Sequence, residues 1–137
     1  MVISEIMTRE LVTLSPEQSL REAVELLLAH RIRHLPVVEE GSRLVGIVTD
    51  RDVKRATPSL LSGVGREEYE RVLEETRVAQ FMTREPMVIS PGTPVKTVVK
   101  ILVDTKVGAL PVVNAGHLVG IVTEIDLLRV LNDLLSR

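Results

Sequence analysis

The chain has no cysteine and no tryptophan, and only one phenylalanine and one tyrosine among its 137 residues. Without thiols there is no disulfide framework, no thiolate metal site and no cysteine nucleophile. With so few aromatics, Val, Leu and Ile must fill the core, and an apolar share of 45% is enough to do so. No apolar run approaches the about 18 residues that a membrane-crossing helix needs. The start, Met1-Val2-Ile3-Ser4-Glu5, has neither the basic stretch nor the apolar core of a secretory signal. A basic excess is missing as well: the net charge is −2 and the isoelectric point is near 5.9, which speaks against a DNA or RNA binder. Asn and Gln occur only at Gln18, Gln80, Asn114 and Asn132, a scarcity that suits heat-stable proteins. These absences point to a cytoplasmic protein built as one compact domain or as two small, mutually dependent ones.

What the chain does have is a repeat. Met7-Thr8-Arg9-Glu10 returns as Met82-Thr83-Arg84-Glu85, an offset of 75 residues. Ser15-Pro16 and Leu35-Pro36-Val37-Val38 return at the same offset, as Ser90-Pro91 and Leu110-Pro111-Val112-Val113. Gly46-Ile47-Val48-Thr49 returns as Gly120 to Thr123 at an offset of 74, so one residue is lost in the hairpin between. Register kept over such a stretch defines two structural copies.

Each copy reads as short strand, helix, strand, strand, helix. In the first, Leu20, Ala23, Val24, Leu27 and Leu28 form one apolar stripe at helical spacing, with Ser19 as N-cap and Glu22 three residues on. In the second, Val95, Val98, Val99, Leu102 and Val103 hold the same places. Their β-branched character alone would read as strand, and the repeat register makes them helix. Strands are expected at His34 to Val38 and at Leu44 to Thr49, joined by a turn at Glu39-Glu40-Gly41-Ser42. The second hairpin turns at Asn114-Ala115-Gly116. Further helices are expected from Asp50 and from Glu124, the latter running through Leu127, Leu128, Val130, Leu131, Leu134 and Leu135. Between the copies, Thr57-Pro58-Ser59 and Ser62-Gly63-Val64-Gly65 break regular structure, and Arg66 to Glu75 reads as a solvated helix with Tyr69, Val72 and Leu73 as its apolar contacts. The expected division is copy one over 1–56, a linker with a charged helix over 57–77, and copy two over 78–137. One copy alone is too small to bury its single apolar sheet face. The expected architecture is therefore an α+β (α/β) pair of β-α-β-β-α repeats packed through their sheets with approximate two-fold symmetry.

Each copy ends in Thr-x-x-Asp: Thr49 and Asp52, then Thr123 and Asp126. A carboxylate accepts both hydroxyls of a ribose, and a neighbouring hydroxyl donates to a phosphate oxygen. The same residues are also compatible with a strand end and a plain first-turn carboxylate, and both readings stand here. Ser62-Gly63-Val64-Gly65 lacks the Lys-Ser/Thr of a phosphate loop. His30, His34 and His117 fall on different elements, so no metal site is expected, and no Ser/His/Asp arrangement is apparent.

In combination, Met-Thr near each start, Leu-Pro-Val-Val in the middle and Gly-Ile-Val-Thr-x-x-Asp near each end resemble the CBS (cystathionine β-synthase) domain in its usual tandem pair, over residues 1–131. The 58–77 insertion resembles that of acetoin-utilisation-type CBS proteins. The resemblance implies a sensor without chemistry of its own, binding AMP, ADP or ATP, or S-adenosylmethionine, and forming a homodimer that acts on an effector protein. It also implies two sites. One joins Thr123 and Asp126 to Val12, Ile32, Arg33 and His34; the other joins Thr49 and Asp52 to Met87, Val107, Gly108 and Ala109. Val12, Ile32, Met87 and Val107 would sandwich an adenine. Arg33-His34 stands where copy two has Gly108-Ala109, and Arg51 where it has Ile125, so the first site is expected to hold phosphate more tightly. For Arg33 and Arg51 the alternative is a surface ion pair with Asp50 or Glu124, and for His34 a satisfied strand histidine. A CBS-fold scaffold that binds no nucleotide is the competing reading of the whole chain.

Overall fold

A computed structural model describes residues 1–137, apart from the side chain of Leu60. The elements in order are α1 (Leu20–His30), β1 (His34–Glu39), β2 (Arg43–Thr49), α2 (Asp50–Ala56), α3 (Arg66–Glu75), α4 (Val78–Phe81), β3 (Thr83–Arg84), α5 (Val95–Thr105), β4 (Ala109–Asn114), β5 (His117–Thr123) and α6 (Glu124–Leu135). Single 3-10 turns cover Ile3–Glu5 and Leu60–Ser62. The chain forms two compact units, one of Val12–Glu85 and one of Met1–Leu11 with Pro86–Arg137. Each contains an antiparallel hairpin with helices packed on it. The expected α+β (α/β) class and the tandem pair are what is found.

The repeat register holds down to single residues. Ser19 caps α1 by accepting from the Glu22 N–H at 3.1 Å. The β-branched run of copy two is helical, as α5. Both helices end on a non-glycine residue in the left-handed region, Arg31 (φ 53°) and Lys106 (φ 58°). The hairpins turn on mirror-type pairs with positive φ, Glu40-Gly41 (51° and 88°) and Ala115-Gly116 (52° and 83°), whose twist matches that of the strands. Ser42 is the extra turn residue in copy one, and it accounts for the change of offset. Both hairpins also carry a bulge after the Leu-Pro-Val stretch, between Val37 and Val38 and between Val112 and Val113.

One feature of the architecture differs from the expected copy. The short leading strand of each repeat belongs to the unit built by the other. In the Val12–Glu85 unit, β3 pairs antiparallel with β2, with Thr83 opposite Ile47 and Arg84 opposite Gly46. In the other unit, Thr8 bridges Ile121. The glycines of the Gly-Ile-Val-Thr phrases make room for this. A Cβ on Gly46 would lie 2.9 Å from the Thr83 carbonyl oxygen and 2.8 Å from Met82 Sδ. On Gly120 it would lie 3.1 Å from the Thr8 carbonyl and 2.6 Å from Met7 Sδ. The Met-Thr and Gly-Ile-Val-Thr phrases are therefore two sides of one contact.

The two cores correspond residue by residue. Leu14, Ala23, Leu27, Leu35, Val37, Val48, Val78 and Met82 are buried together in one unit. Ile89, Val98, Leu102, Leu110, Val112, Val122, Ile3 and Met7 take the matching places in the other. The expected helical stripes are narrower than five residues. Leu28 is 74% exposed on α1, and Val99 and Val103 are 42% and 69% exposed on α5.

Candidate functional site

Each Thr-x-x-Asp stands at the junction of a strand and a helix. Thr49 ends β2 and caps α2; Thr123 ends β5 and caps α6. In both, the capping is reciprocal. The Thr49 N–H donates to Asp52 Oδ2 at 2.9 Å, and the Asp52 N–H donates back to Thr49 Oγ1 at 3.2 Å. In copy two the same bonds measure 2.9 and 3.4 Å. The carboxylates are buried, Asp52 at 9% and Asp126 at 6% exposure, because the leading Met-Thr segment closes over them. Its threonine adds a further donor. Thr8 Oγ1 donates to Asp126 Oδ1 at 3.0 Å, and Thr83 Oγ1 lies 3.4 and 3.3 Å from the two Asp52 oxygens. Each aspartate thus ties helix start, strand end and leading segment together. A carboxylate offers about four acceptor positions, so capacity for a ligand hydroxyl remains.

The other expected residues fall as follows. Val12 and Ile32 are half-buried and pack on the core of their unit. Arg33 and Arg51 are exposed, and within their unit neither takes part in an ion pair among the described residues, Asp50 included. His34 opens β1, half-buried and engaged in polar interaction. Met87 is 48% exposed, Val107 and Gly108 are half-buried, and Ala109 is buried as the first residue of β4. The carbonyls of Arg33 and Gly108 accept from the helix-start N–H groups of Asp50 and Glu124 at 3.0 and 3.2 Å. That bond fixes each loop to the helix it faces within its unit.

Two elements of the site were not singled out from sequence. One is the threonine pair Thr8 and Thr83, whose signal was the recurring Met-Thr. The other is a cation one helical turn beyond each aspartate. Arg129 Nη1 lies 3.8 Å from Asp126 Oδ1. Its counterpart Arg55 lines, with Asp52, Ala56, Thr76, Gln80 and Phe81, an open pocket of about 410 Å³ in the Val12–Glu85 unit. Asp-x-x-Arg recurs at the repeat offset of 74 and could have been read from it. Among the described residues no cluster of three or more His, Asp or Glu suits a metal ion, and no helix is long and apolar enough to cross a membrane.

These features define a paired CBS module, and comparison with known proteins agrees. The CBS domain model matches residues 3–59 and 78–133, and the chain belongs to that family. It is similar to a candidate acetoin utilization protein (AcuB) from Vibrio cholerae, with TM-score 0.83 and 29% identity over 99% of this chain and 93% of that one. It is similar to CBSX2 from Arabidopsis thaliana, solved in complex with AMP, with TM-score 0.82 and 29% identity over 99% and 98%. It is also similar to the CBS domain pair of protein MJ0100, solved with 5′-methylthioadenosine and S-adenosyl-L-methionine, with TM-score 0.79 and 27% identity over 98% of each chain.

Proposed function

We propose that this chain is a regulatory module that binds an adenine nucleotide, AMP, ADP or ATP, through its Thr-x-x-Asp phrases. The observation that carries the reading is the pair of buried, preorganised carboxylates, Asp52 and Asp126, each held with acceptor capacity left beside a threonine hydroxyl. The similar CBSX2 with AMP supports this ligand class. Arg33 and Arg51, exposed and outside any ion pair within their own unit among the described residues, are the proposed phosphate cations. Val12, Ile32, Met87 and Val107 are the proposed apolar contacts of the base. The module works by population shift: a ligand that favours one arrangement of the chain changes what a partner reads. Self-association through the exposed leucines of α6 (Leu128, Leu131, Leu134 and Leu135) belongs to the same reading.

A second reading, S-adenosylmethionine or methylthioadenosine as ligand, is favoured by the similarity to the MJ0100 pair. Thermal shift with AMP, ADP, ATP, S-adenosylmethionine and a GTP control, followed by calorimetry, separates them. A ligand at 100 times its dissociation constant stabilises by about 2.7 kcal/mol, a rise of roughly 5–10 °C for a chain of this size. Arg33→Ala weakens AMP and ATP but not adenosine if the cation meets phosphate. Equal losses for all three remove that role, and no rise with any ligand favours the ligand-free scaffold.

A further inference from the structure

The insertion gives the Val12–Glu85 unit a groove. α3 lies on α1, where the Arg21 guanidinium pairs with both Glu70 and Glu74. Residues of α1, α2 and α3 enclose a groove of about 440 Å³, a volume in the range of small-molecule sites. Val24, Val53 and Leu73 give it an apolar lining, and Leu73 is buried. Three polar side chains join them: the Glu25 carboxylate, the Lys54 ammonium and the Tyr69 hydroxyl. Within this unit none of the three takes part in a hydrogen bond or an ion pair among the described residues. The pair of opposite charges is specific to this copy. Shifted by the repeat offsets of 75 and 74, Glu25 becomes Lys100 and Lys54 becomes Leu128. Tyr69 and Leu73 belong to the insertion, which the repeat does not share. The groove also lies apart from the buried aspartate, because α2 turns Asp52 toward Thr83 and presents Val53 and Lys54 to the groove.

We propose that this groove binds an α-amino acid with an apolar side chain. The ligand ammonium would meet Glu25, its carboxylate would meet Lys54 and the Tyr69 hydroxyl, and its side chain would rest on Val24, Val53 and Leu73. An unmatched carboxylate and an unmatched ammonium beside apolar surface fit a zwitterion. A ligand with a single charge would leave one of them facing its own sign or nothing. Phosphate-rich ligands are disfavoured for the same reason: with Arg21 held by two glutamates, the lining has no excess of positive charge.

The probe is L-leucine, titrated into the full chain and followed by calorimetry and by amide shifts in NMR spectra. The shifts should centre on residues 24–25, 53–54 and 69–73. Isocaproate lacks the ammonium of leucine and isoamylamine lacks its carboxylate. Each should bind about three- to fivefold more weakly, the effect of one exposed charge contact. Glycine, without the apolar side chain, should bind about tenfold more weakly or less well still. Glu25→Lys is the decisive variant: it should weaken leucine and strengthen isocaproate, an inversion that a loss of fold cannot produce. Leucine that binds no better than glycine or isocaproate, an unaltered ligand order in Glu25→Lys, shifts confined to other residues, or no binding at all would each overturn the proposal. Glu25 and Lys54 lie outside the Thr-x-x-Asp phrases, so the result stands whatever nucleotide the chain binds.

Discussion

The two units of this chain share eight core positions one for one and differ in what surrounds them. The Val12–Glu85 unit carries an inserted helix on α1, a three-residue hairpin turn and a seven-residue α2. The Met1–Leu11/Pro86–Arg137 unit has a bare α5, a two-residue turn and a twelve-residue α6 with five apolar residues about half exposed or more. Equal cores with unequal surfaces indicate that the shared fold requires one set of positions and leaves the other free to differ. The carboxylate latch differs too. Asp126 takes a 3.0 Å bond from Thr8 and has Arg129 nearby, whereas Asp52 has only the longer contacts to Thr83.

The largest effect should come from the glycines under the exchanged strands. Gly46→Ala puts a methyl group 2.9 Å from a backbone oxygen, and Gly120→Ala puts one at 3.1 Å. Overpacking of this kind costs about 1–3 kcal/mol, and Gly46→Ala should cost the more of the two in chemical denaturation. Equal, negligible losses would show that the leading segments move aside freely. Next in size are the aspartates. Asp126→Asn and Asp52→Asn keep shape but turn an amide N–H₂ or a weaker acceptor toward the Thr N–H, at a cost of about 1–2 kcal/mol each. Asp126→Asn should be the worse because it also loses the acceptor for Thr8. A reversed order would mean that the Thr8 bond contributes nothing. Both variants should be characterised for folding before any ligand loss is read from them.

Much of this could be read beforehand, and the limits are physical. α5, with seven β-branched residues among its eleven, was recoverable as a helix because register outweighs local propensity. Thr49, Asp52, Thr123 and Asp126 were legible because the phrase recurs whole. The exchange of Met82-Thr83 and Met7-Thr8 was not. A strand of two residues has too little pattern to say which hairpin it joins, and only the crowded glycines, Gly46 and Gly120, record the neighbour. The exposure of Leu28, Val99 and Val103 was not legible either, because periodicity marks an apolar face and says nothing of what covers it.

The threonines sharpen the comparison at a finer scale. Thr8→Val removes a 3.0 Å hydrogen bond to a buried carboxylate and keeps the side-chain volume. A loss of about 1 kcal/mol is expected, with Thr83→Val nearer to zero because its contacts are 3.3 and 3.4 Å. Thermal melts of the two single variants and the double decide it: equal losses would erase the difference between the latches.

The smallest effect concerns the inserted helix. Hydrogen bonds and charge from Glu74 and Glu70 hold the Arg21 guanidinium above its ordinary pKa. A cation raised in this way stays charged and keeps its contribution through the neutral range, so titration there should leave the bridge intact. Salt should not, because the groups are exposed and screening at about 1 M shortens their reach to about 3 Å. Arg21→Ala should therefore barely move the global melting temperature. It should instead speed amide hydrogen exchange in α3, Arg66–Glu75, while leaving α5 unchanged. Leu73, buried against the groove, opposes full release, so the change should be partial and should match the change that high salt produces in the unaltered chain. Exchange in α3 that ignores both the substitution and the salt would assign its docking to Leu73 and Tyr69 alone. Charge would then no longer separate the covered face of α1 from the bare face of α5.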